Sequence, residues 1–474
     1  MMFLKSWRKY FILIIAFLGV SGVLYFCGGK EIRYQKKATP MIEVNGSVPE
    51  INVNTTICQR FKTDDDFIEK MTLRIGTYGR ECSGIALLKI IDEESNQILA
   101  EHKIDTSLLK DNTTYEWEFE EPIKVFGGED LFLQVTSDSQ EGKGITLYFN
   151  QNTNEQGTEL YVNGQAVSGE IAFSIQTLKD YFFGRNYWYI TFGALSILVG
   201  YCIVSDYKKR RGKVTLLVKM QRVWEKYKFL IKQLILRDFK TKYKRSVLGY
   251  IWSFLNPLLS MIVQYIVFST IFKSDIDNFP VYLLSGIILF NFFADAVSQG
   301  LVAIVANSSL ITKVYVPKYI YPVTKVFSTS INLLISIIPL FIIMLLTKEN
   351  FTKAIFLLPF PILCLLVFSI GLSLVLCSAM VFFRDTQYLW GILNLAWTYA
   401  TPIFYPANII PEKYVFIQKL NPLFHYISFV RTLLIAGESP AAIEYFYCMM
   451  FSLIMLLIGI IIFKKTQDKF ILFI

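Results

Sequence analysis

AIFLLPFPILCLLVFSIGLSLVLCSAMVF, residues 354–382, contains no Asp, Glu, Lys or Arg. A helix needs about 20 predominantly apolar residues to cross the hydrocarbon core of a bilayer, so this run is long enough to span one. Working outward from it, comparable runs lie at about 10–27, 187–204, 251–272, 281–304, 323–346, 389–405 and 443–463. The fold class that follows is an α-helical polytopic membrane protein of about eight transmembrane helices. Composition agrees: 53% of the 474 residues are hydrophobic and 16% aromatic. The mean hydropathy is +0.43, outside the usual range of soluble domains.

The formal charge of +9 is unevenly distributed. Residues 31–182 hold 26 of the 38 acidic residues and 14 of the 47 Lys and Arg, which leaves 33 basic and 12 acidic residues elsewhere. A nucleic-acid-binding domain would gather its cations on a folded polar surface. Here they sit between apolar runs, as cytoplasmic loops do, and no nucleic-acid partner is expected. Lys5, Arg8 and Lys9 precede the first run, which lacks a small-x-small cleavage site and reads as an uncleaved anchor over 1–29. The second span, within 183–206, ends at Lys208, Lys209, Arg210, Arg211 and Lys213, so residues 30–182 between the two anchors are expected outside the cell. Threading the rest alternately puts Lys313, Lys318, Arg384, Lys464, Lys465 and Lys469 inside, with both termini in the cytoplasm of a bacterial plasma (inner) membrane protein. Residues 207–249 form a basic interface segment, 250–474 a six-span domain, and 406–442 short helices at the outer interface.

The outer segment switches to period-two alternation. Tyr115, Trp117 and Phe119 alternate with Glu116, Glu118 and Glu120, and Asn163-Gly164 sits between two short apolar runs as a tight hairpin signal. Several such strands predict an inserted extracellular antiparallel β-sandwich of jelly-roll kind. Cys58 and Cys82 are its only thiols and admit either a disulfide or two free cysteines. The other five Cys lie in or at apolar runs and read as small buried side chains. Asp64-Asp65-Asp66 reads as a solvated turn more readily than as a calcium ligand set, and no metal site is expected. For the module as a whole, a glycan-binding role and a spacer role stay open.

No Walker A loop exists, since Gly142-Lys143 and Gly212-Lys213 lack the glycine five residues earlier. A nucleophile elbow and a HExxH helix are also missing, and His102 and His425 are the only histidines. The chain therefore does not read as an enzyme, and no cofactor is expected on it. From Trp224 to Gly249 the sequence is basic with helical period: Tyr227, Leu230, Ile231 and Leu234 share one face, while Leu236, Phe239, Tyr243 and Val247 share another. Two helical pieces broken near Ile235–Arg237 are expected, the second lying along the inner membrane surface.

Four ordered blocks add a resemblance. Arg237-Asp238-Phe239-Lys240-Thr241-Lys242-Tyr243-Lys244-Arg245 runs on to Leu255-Asn256-Pro257; then come Asn291-Phe292-Phe293, Leu310 to Lys318 with Pro322, and Phe383-Arg384-Asp385 leading through Thr401 to Pro406 to Asn421-Pro422-Leu423 and Arg431. This pattern, over about residues 225–470, resembles the permease subunits of type-2 ABC exporters for polysaccharide, O-antigen or teichoic acid. The first 220 residues lie outside it. The resemblance implies a homodimer of six-span halves and two copies of a separate ABC ATPase that binds ATP and Mg. It implies further that the ATPase docks at Arg237, Asp238, Lys242, Lys244, Arg245, Leu310, Lys313, Tyr315, Pro317 and Lys318.

For a glycan path, rings that pack on sugar CH faces and polar groups at membrane depth are the candidates. They are Trp390, Trp397, Tyr399, Phe404 and Tyr405, with Asn291, Asp295 and Gln299 of one span. Export of a lipid-linked polysaccharide or teichoic-acid-like polymer is the leading expectation. A small-molecule or lipid exporter and a non-transporting sensor or scaffold remain as alternatives.

Overall fold

The structure, a computed structural model, describes residues 2–125, 128–151, 158–211, 216–244, 248–271, 278–313, 316–406, 409 and 411–473. It divides into two units, Arg33–Tyr187 and Met1–Ile32 with Trp188–Ile474.

The first unit is all-β. Its strands are β1 (Tyr34–Ala38), β2 (Gly46–Ser47), β3 (Ile57–Lys62), β4 (Phe67–Gly76), β5 (Ile85–Asp92), β6 (Ile98–Asp105) and β7 (Thr113–Lys124). They continue as β8 (Asp130–Ser137), β9 (Thr146–Asn150), β10 (Glu159–Val162), β11 (Gln165–Val167), β12 (Glu170–Ile171) and β13 (Phe173–Asp180). One sheet runs β1-β13-β4-β9-β12, with β7 also on β4 and β2 on β9; the other runs β11-β10-β3-β8-β5-β6. All pairings are antiparallel, and inward residues of both sheets share one core around Met71, Leu73, Ile90, Trp117 and Leu133. The Tyr115/Trp117/Phe119 alternation holds: Trp117 is 4% exposed, its two neighbours on that face pack against the same core, and the intervening glutamates face solvent. On β4 the inward set changes parity from Ile68 to Met71, because a bulge against β7 shifts the register between Ile68 and Lys70. The Asn163-Gly164 hairpin forms between β10 and β11, with both residues at positive φ (52° and 80°), as a type I′ turn requires.

Cys58 and Cys82 remain separate thiols, so the disulfide alternative does not hold. Ile57, Gln59 and Phe61 point into the core, which turns Cys58 to the other face of β3. Cys82 lies in the core, its thiol 3.3 Å from the Gly144 carbonyl. Asp65 is buried against the Thr177 hydroxyl, and Asp66 accepts from the Asp180 amide at 3.1 Å. Asp65 and Asp66 thus anchor a turn with their own side chains, while Asp64 is exposed.

The second unit is helical. Its main helices are α1 (Met2–Cys27), α2 (Tyr187–Arg210), α3 (Leu216–Tyr243), α4 (Trp252–Ile271), α5 (Phe279–Leu301) and α6 (Ile320–Leu346). Next come α7 (Pro359–Phe382), α8 (Thr386–Ala400), α9 (Glu412–Lys419), α10 (Pro422–Arg431) and α11 (Ala442–Thr466). Among the described residues seven helices are long and apolar enough to cross a membrane: α1, α2, α4, α5, α6, α7 and α11. The eighth expected run, 389–405, instead yields the 15-residue α8, roughly 22 Å long at 1.5 Å per residue and short of the ~30 Å hydrocarbon core. It ends at Thr401–Pro402, and α9 and α10 follow within the aromatic 406–442 segment.

α3 is a single unbroken helix of 28 residues, which corrects the two-piece reading. The break is unnecessary because both apolar faces find partners. Tyr227, Leu230, Ile231 and Leu234 pack on Ala303, Ile304, Ile320 and Tyr321, while Phe239 stacks on Tyr250 at 5.1 Å.

α5 is the central helix, buried along most of its length from Val281 to Leu301. α7 and α11 approach closely. A Cβ at Gly459 would stand 2.3 Å from the Gly371 carbonyl oxygen, and one at Gly371 2.6 Å from the Met455–Leu456 backbone. Small residues let membrane helices approach in this way. Gly459→Val is therefore expected to cost about 1–3 kcal/mol through overpacking, seen as a lower melting temperature of the solubilised protein. An unchanged melting temperature would mean that the crossing accommodates a larger side chain without cost.

Candidate substrate path and coupling surface

One face of α5 escapes burial. Asn291, Asp295, Ser298 and Gln299, at helical spacings of four, seven and eight, are exposed while their neighbours are packed. The Asp295 carboxylate pairs with Lys242 Nζ of α3 at 3.1 Å. This bridge joins a residue placed on the ATPase side by the sequence reading to one placed on the substrate path. Beside it lies a cavity of about 360 Å³, walled by Trp252, Ser253 and Asn256 of α4, Asn291 and Asp295 of α5, and Thr329, Asn332 and Ser336 of α6. A second recess of about 250 Å³ holds Gln299, Asp238 and Lys325 and shares Lys242, Thr329 and Asn332 with the first.

The last turns of α3 are tied to three further points of the helical unit. Arg237 donates to the Asn307 side-chain carbonyl at 3.2 Å, Asp238 pairs with Lys325 of α6 at 3.1 Å, and the Ser328 hydroxyl donates to the Ile235 carbonyl at 3.3 Å. Asp238 and Lys325 are only 11% and 16% exposed. Low exposure strengthens their attraction and also makes breaking the pair costly. Arg237, Asp238 and Lys242 therefore spend their charges on this chain's own helices. Of the other expected docking residues, Lys244 and Lys313 are exposed, while Leu310 and Pro317 are half-buried. Lys318 donates to the Gln467 carbonyl at 2.6 Å. Arg245 and Tyr315 lie outside the described residues.

The expected path aromatics separate into two groups. Trp390 donates to Ser298 Oγ at 2.9 Å and Trp397 to Asn421 Oδ1 at 2.8 Å, and both rings pack edge-on to Phe293. They form the seam between α8 and α5. Tyr399 is 65% exposed, with its carbonyl accepting from the Tyr405 hydroxyl at 2.8 Å. Phe404 stacks on Phe268 of α4 at 5.4 Å.

Arg431, at the end of α10, organises the turn that carries Phe404 and Tyr405. Its guanidinium donates to the carbonyls of Pro402 (2.7 Å), Ile403 (3.1 Å) and Tyr282 (3.1 Å). The guanidinium carbon also lies 3.3 Å from the centre of the Tyr282 ring. Tyr282 in turn donates to the Tyr405 carbonyl at 2.8 Å. Asn421 caps α10, accepting from the Leu423 amide. His425 sits between the Glu444 carboxylate and the Lys419 carbonyl, each at 2.8 Å.

Sequence reasoning passed over Tyr282, Lys325, Asn332 and the His425–Glu444 pair. For Asn332 a signal existed: Thr329, Asn332 and Ser336 make a polar line at helical spacing through an apolar span.

Residues 230–435, a stretch that covers α4 to α10 entirely and the second half of α3, match the family described as ABC-2 type transporter. This part of the chain is an ABC-2 transporter membrane domain, within a multi-pass membrane protein, and it is homologous to O-antigen and polysialic acid export permeases. The chain is 29% identical over 237 residues to the O-antigen export system permease protein RfbA of Klebsiella pneumoniae, covering 49% of this chain and 90% of that one. It is 28% identical over 257 residues to the RfbA protein of Myxococcus xanthus, covering 54% and 98%. With the polysialic acid transport protein KpsM of Escherichia coli it shares 27% identity over 255 residues, covering 52% and 96%. The β unit, Arg33–Tyr187, precedes the stretch that the family matches.

Proposed function

We propose that this chain is the membrane-spanning subunit of an exporter that moves a lipid-linked polysaccharide or teichoic-acid-like polymer across the bacterial plasma membrane. The observation that carries the reading is the match, over 90–98% of their lengths, to permeases named for O-antigen and polysialic acid. The polar face of α5, set in an apolar bundle, supports it, since such groups are retained at membrane depth where they serve a path. ATP and Mg belong to a separate ATPase, two copies of which dock on a homodimer of this chain. Exposed Lys244 and Lys313 are the docking contacts this chain offers. The basic loops and both termini face the cytoplasm, which requires α8 together with the segment after it to carry the chain back to the outer face before α11, and the β unit faces outward.

Depletion of the protein tests the reading. Loss of surface glycan with lipid-linked polymer accumulating inside is the expected result. Unchanged surface glycan without accumulation would point to small-molecule export or to sensing instead.

A further inference from the structure

The cavity between α3, α4, α5 and α6 has a chemistry of its own. Three asparagines, Asn256, Asn291 and Asn332, reach it from three different helices. Asn332 already accepts from the Ser253 hydroxyl at 3.1 Å, whereas Asn256 and Asn291 make no hydrogen bond to any described residue. A primary amide offers donors and an acceptor on one rigid plane, as a vicinal diol demands. Both amides are exposed into the cavity and unpaired among the described residues, so they are free to bond a polar occupant. The wall also holds an aromatic surface, Trp252 at 42% exposure, and a ring face of this kind packs on the CH side of a sugar.

Charge narrows the class. The ammonium and the carboxylate on this wall are Lys242 and Asp295, and they neutralise each other. Their side chains are 45% and 58% exposed, so the pair is worth little, and either partner can turn to a ligand hydroxyl at small cost. An anion would find one cation already matched. A neutral, hydroxyl-rich ring finds amides, hydroxyls and an indole. The volume, about 360 Å³, lies at the low end of the roughly 300–1,000 Å³ that small-molecule pockets occupy.

We propose that this cavity is a pyranose-binding pocket within a single copy of the chain, in which Asn256, Asn291 and Asn332 read ring hydroxyls and Trp252 packs on the ring face. The identification of its natural occupant as a sugar of the exported polymer rests on the export reading; the binding chemistry does not.

The test uses the full-length protein solubilised in dodecylphosphocholine and carrying Ser336→Cys, on the cavity wall but outside the three amides and the indole. The rate of maleimide labelling at that position is followed while dodecyl maltoside is titrated in, with Thr312→Cys, exposed on a turn away from the cavity, as the control for micelle effects. The expected result is labelling slowed about tenfold at position 336 and unchanged at 312, with the protection lost when Asn291→Ala and Asn332→Ala are added. Equal rates with and without the sugar headgroup, or protection that survives loss of both amides, would overturn the pocket. Melting temperatures of the variants separate lost binding from lost fold. Because the assay needs no transport, protection together with unchanged surface glycan on depletion would leave the pocket standing and remove the export reading; the opposite pair of results would do the reverse.

Discussion

Arg431→Leu is expected to destabilise the helical unit more than any other single change at the candidate site, by roughly 3–5 kcal/mol. The side chain is 9% exposed and forms no ion pair with any described carboxylate. It donates to three backbone carbonyls, and its guanidinium carbon lies 3.3 Å from the centre of the Tyr282 ring. Leucine fills part of the volume but takes the side-chain donor from the Ile403 carbonyl and leaves Pro402 only the longer bond from the Tyr282 hydroxyl at 3.4 Å, while the Tyr282 carbonyl keeps the Ser285 hydroxyl at 3.0 Å; a buried acceptor that loses its donor bears the full desolvation penalty. Gly286 shows how tightly the guanidinium is fitted, since a Cβ there would approach Nη2 to 2.8 Å. Arg431→Lys should recover only part of the loss, because an ammonium cannot present a planar fork to three acceptors. The measurement is thermal unfolding of the solubilised protein together with its abundance in membranes. A leucine variant that melts with the parent would show that the carbonyls find donors elsewhere.

The second large effect concerns transport rather than stability. Reversing Lys242 to Glu places two carboxylates about where the 3.1 Å bridge now stands, and Asp295→Lys does the same with two ammonium groups. The bridge is solvent-exposed, so either reversal should change unfolding free energy by less than about 1 kcal/mol. Export is expected to fall at least tenfold in each, because the bridge joins α3, which on the proposed reading leads into the ATPase contact at Lys244, to the polar face of α5. The double variant Lys242→Glu with Asp295→Lys should restore much of it. Surface polymer in cells carrying each variant reads this out. Single reversals that export normally would remove the bridge from the mechanism, and a double variant no better than the singles would show that the two residues act separately.

Some of this was legible from local pattern. Apolar runs of 18 residues or more set the seven long helices found among the described residues, since each must satisfy its backbone internally whatever its neighbours do. Period-two alternation set the β unit, and Asn163-Gly164 placed one of its hairpins. Where a run was marginal the local pattern misled. Residues 389–405 read as a span but form a short helix that stops at Thr401–Pro402, and α3 was divided because its two apolar faces looked incompatible within one helix.

By itself, then, the sequence determined that this is a polytopic helical membrane protein with an inserted β-sandwich, and that its second half follows the exporter pattern. Hydropathy, periodicity and ordered motifs are properties of short contiguous stretches, which is why they survive without a structure. Only the tertiary structure decided which polar residues meet. Lys242 and Asp295 are 53 positions apart, Asn256, Asn291 and Asn332 come from three helices, and Arg431 reaches back 149 positions to the Tyr282 carbonyl. Each of these contacts depends on the rotation of a whole helix about its axis, and that is set by the packing of the faces opposite, such as Gly371 against Gly459 and the tryptophan seam of α8.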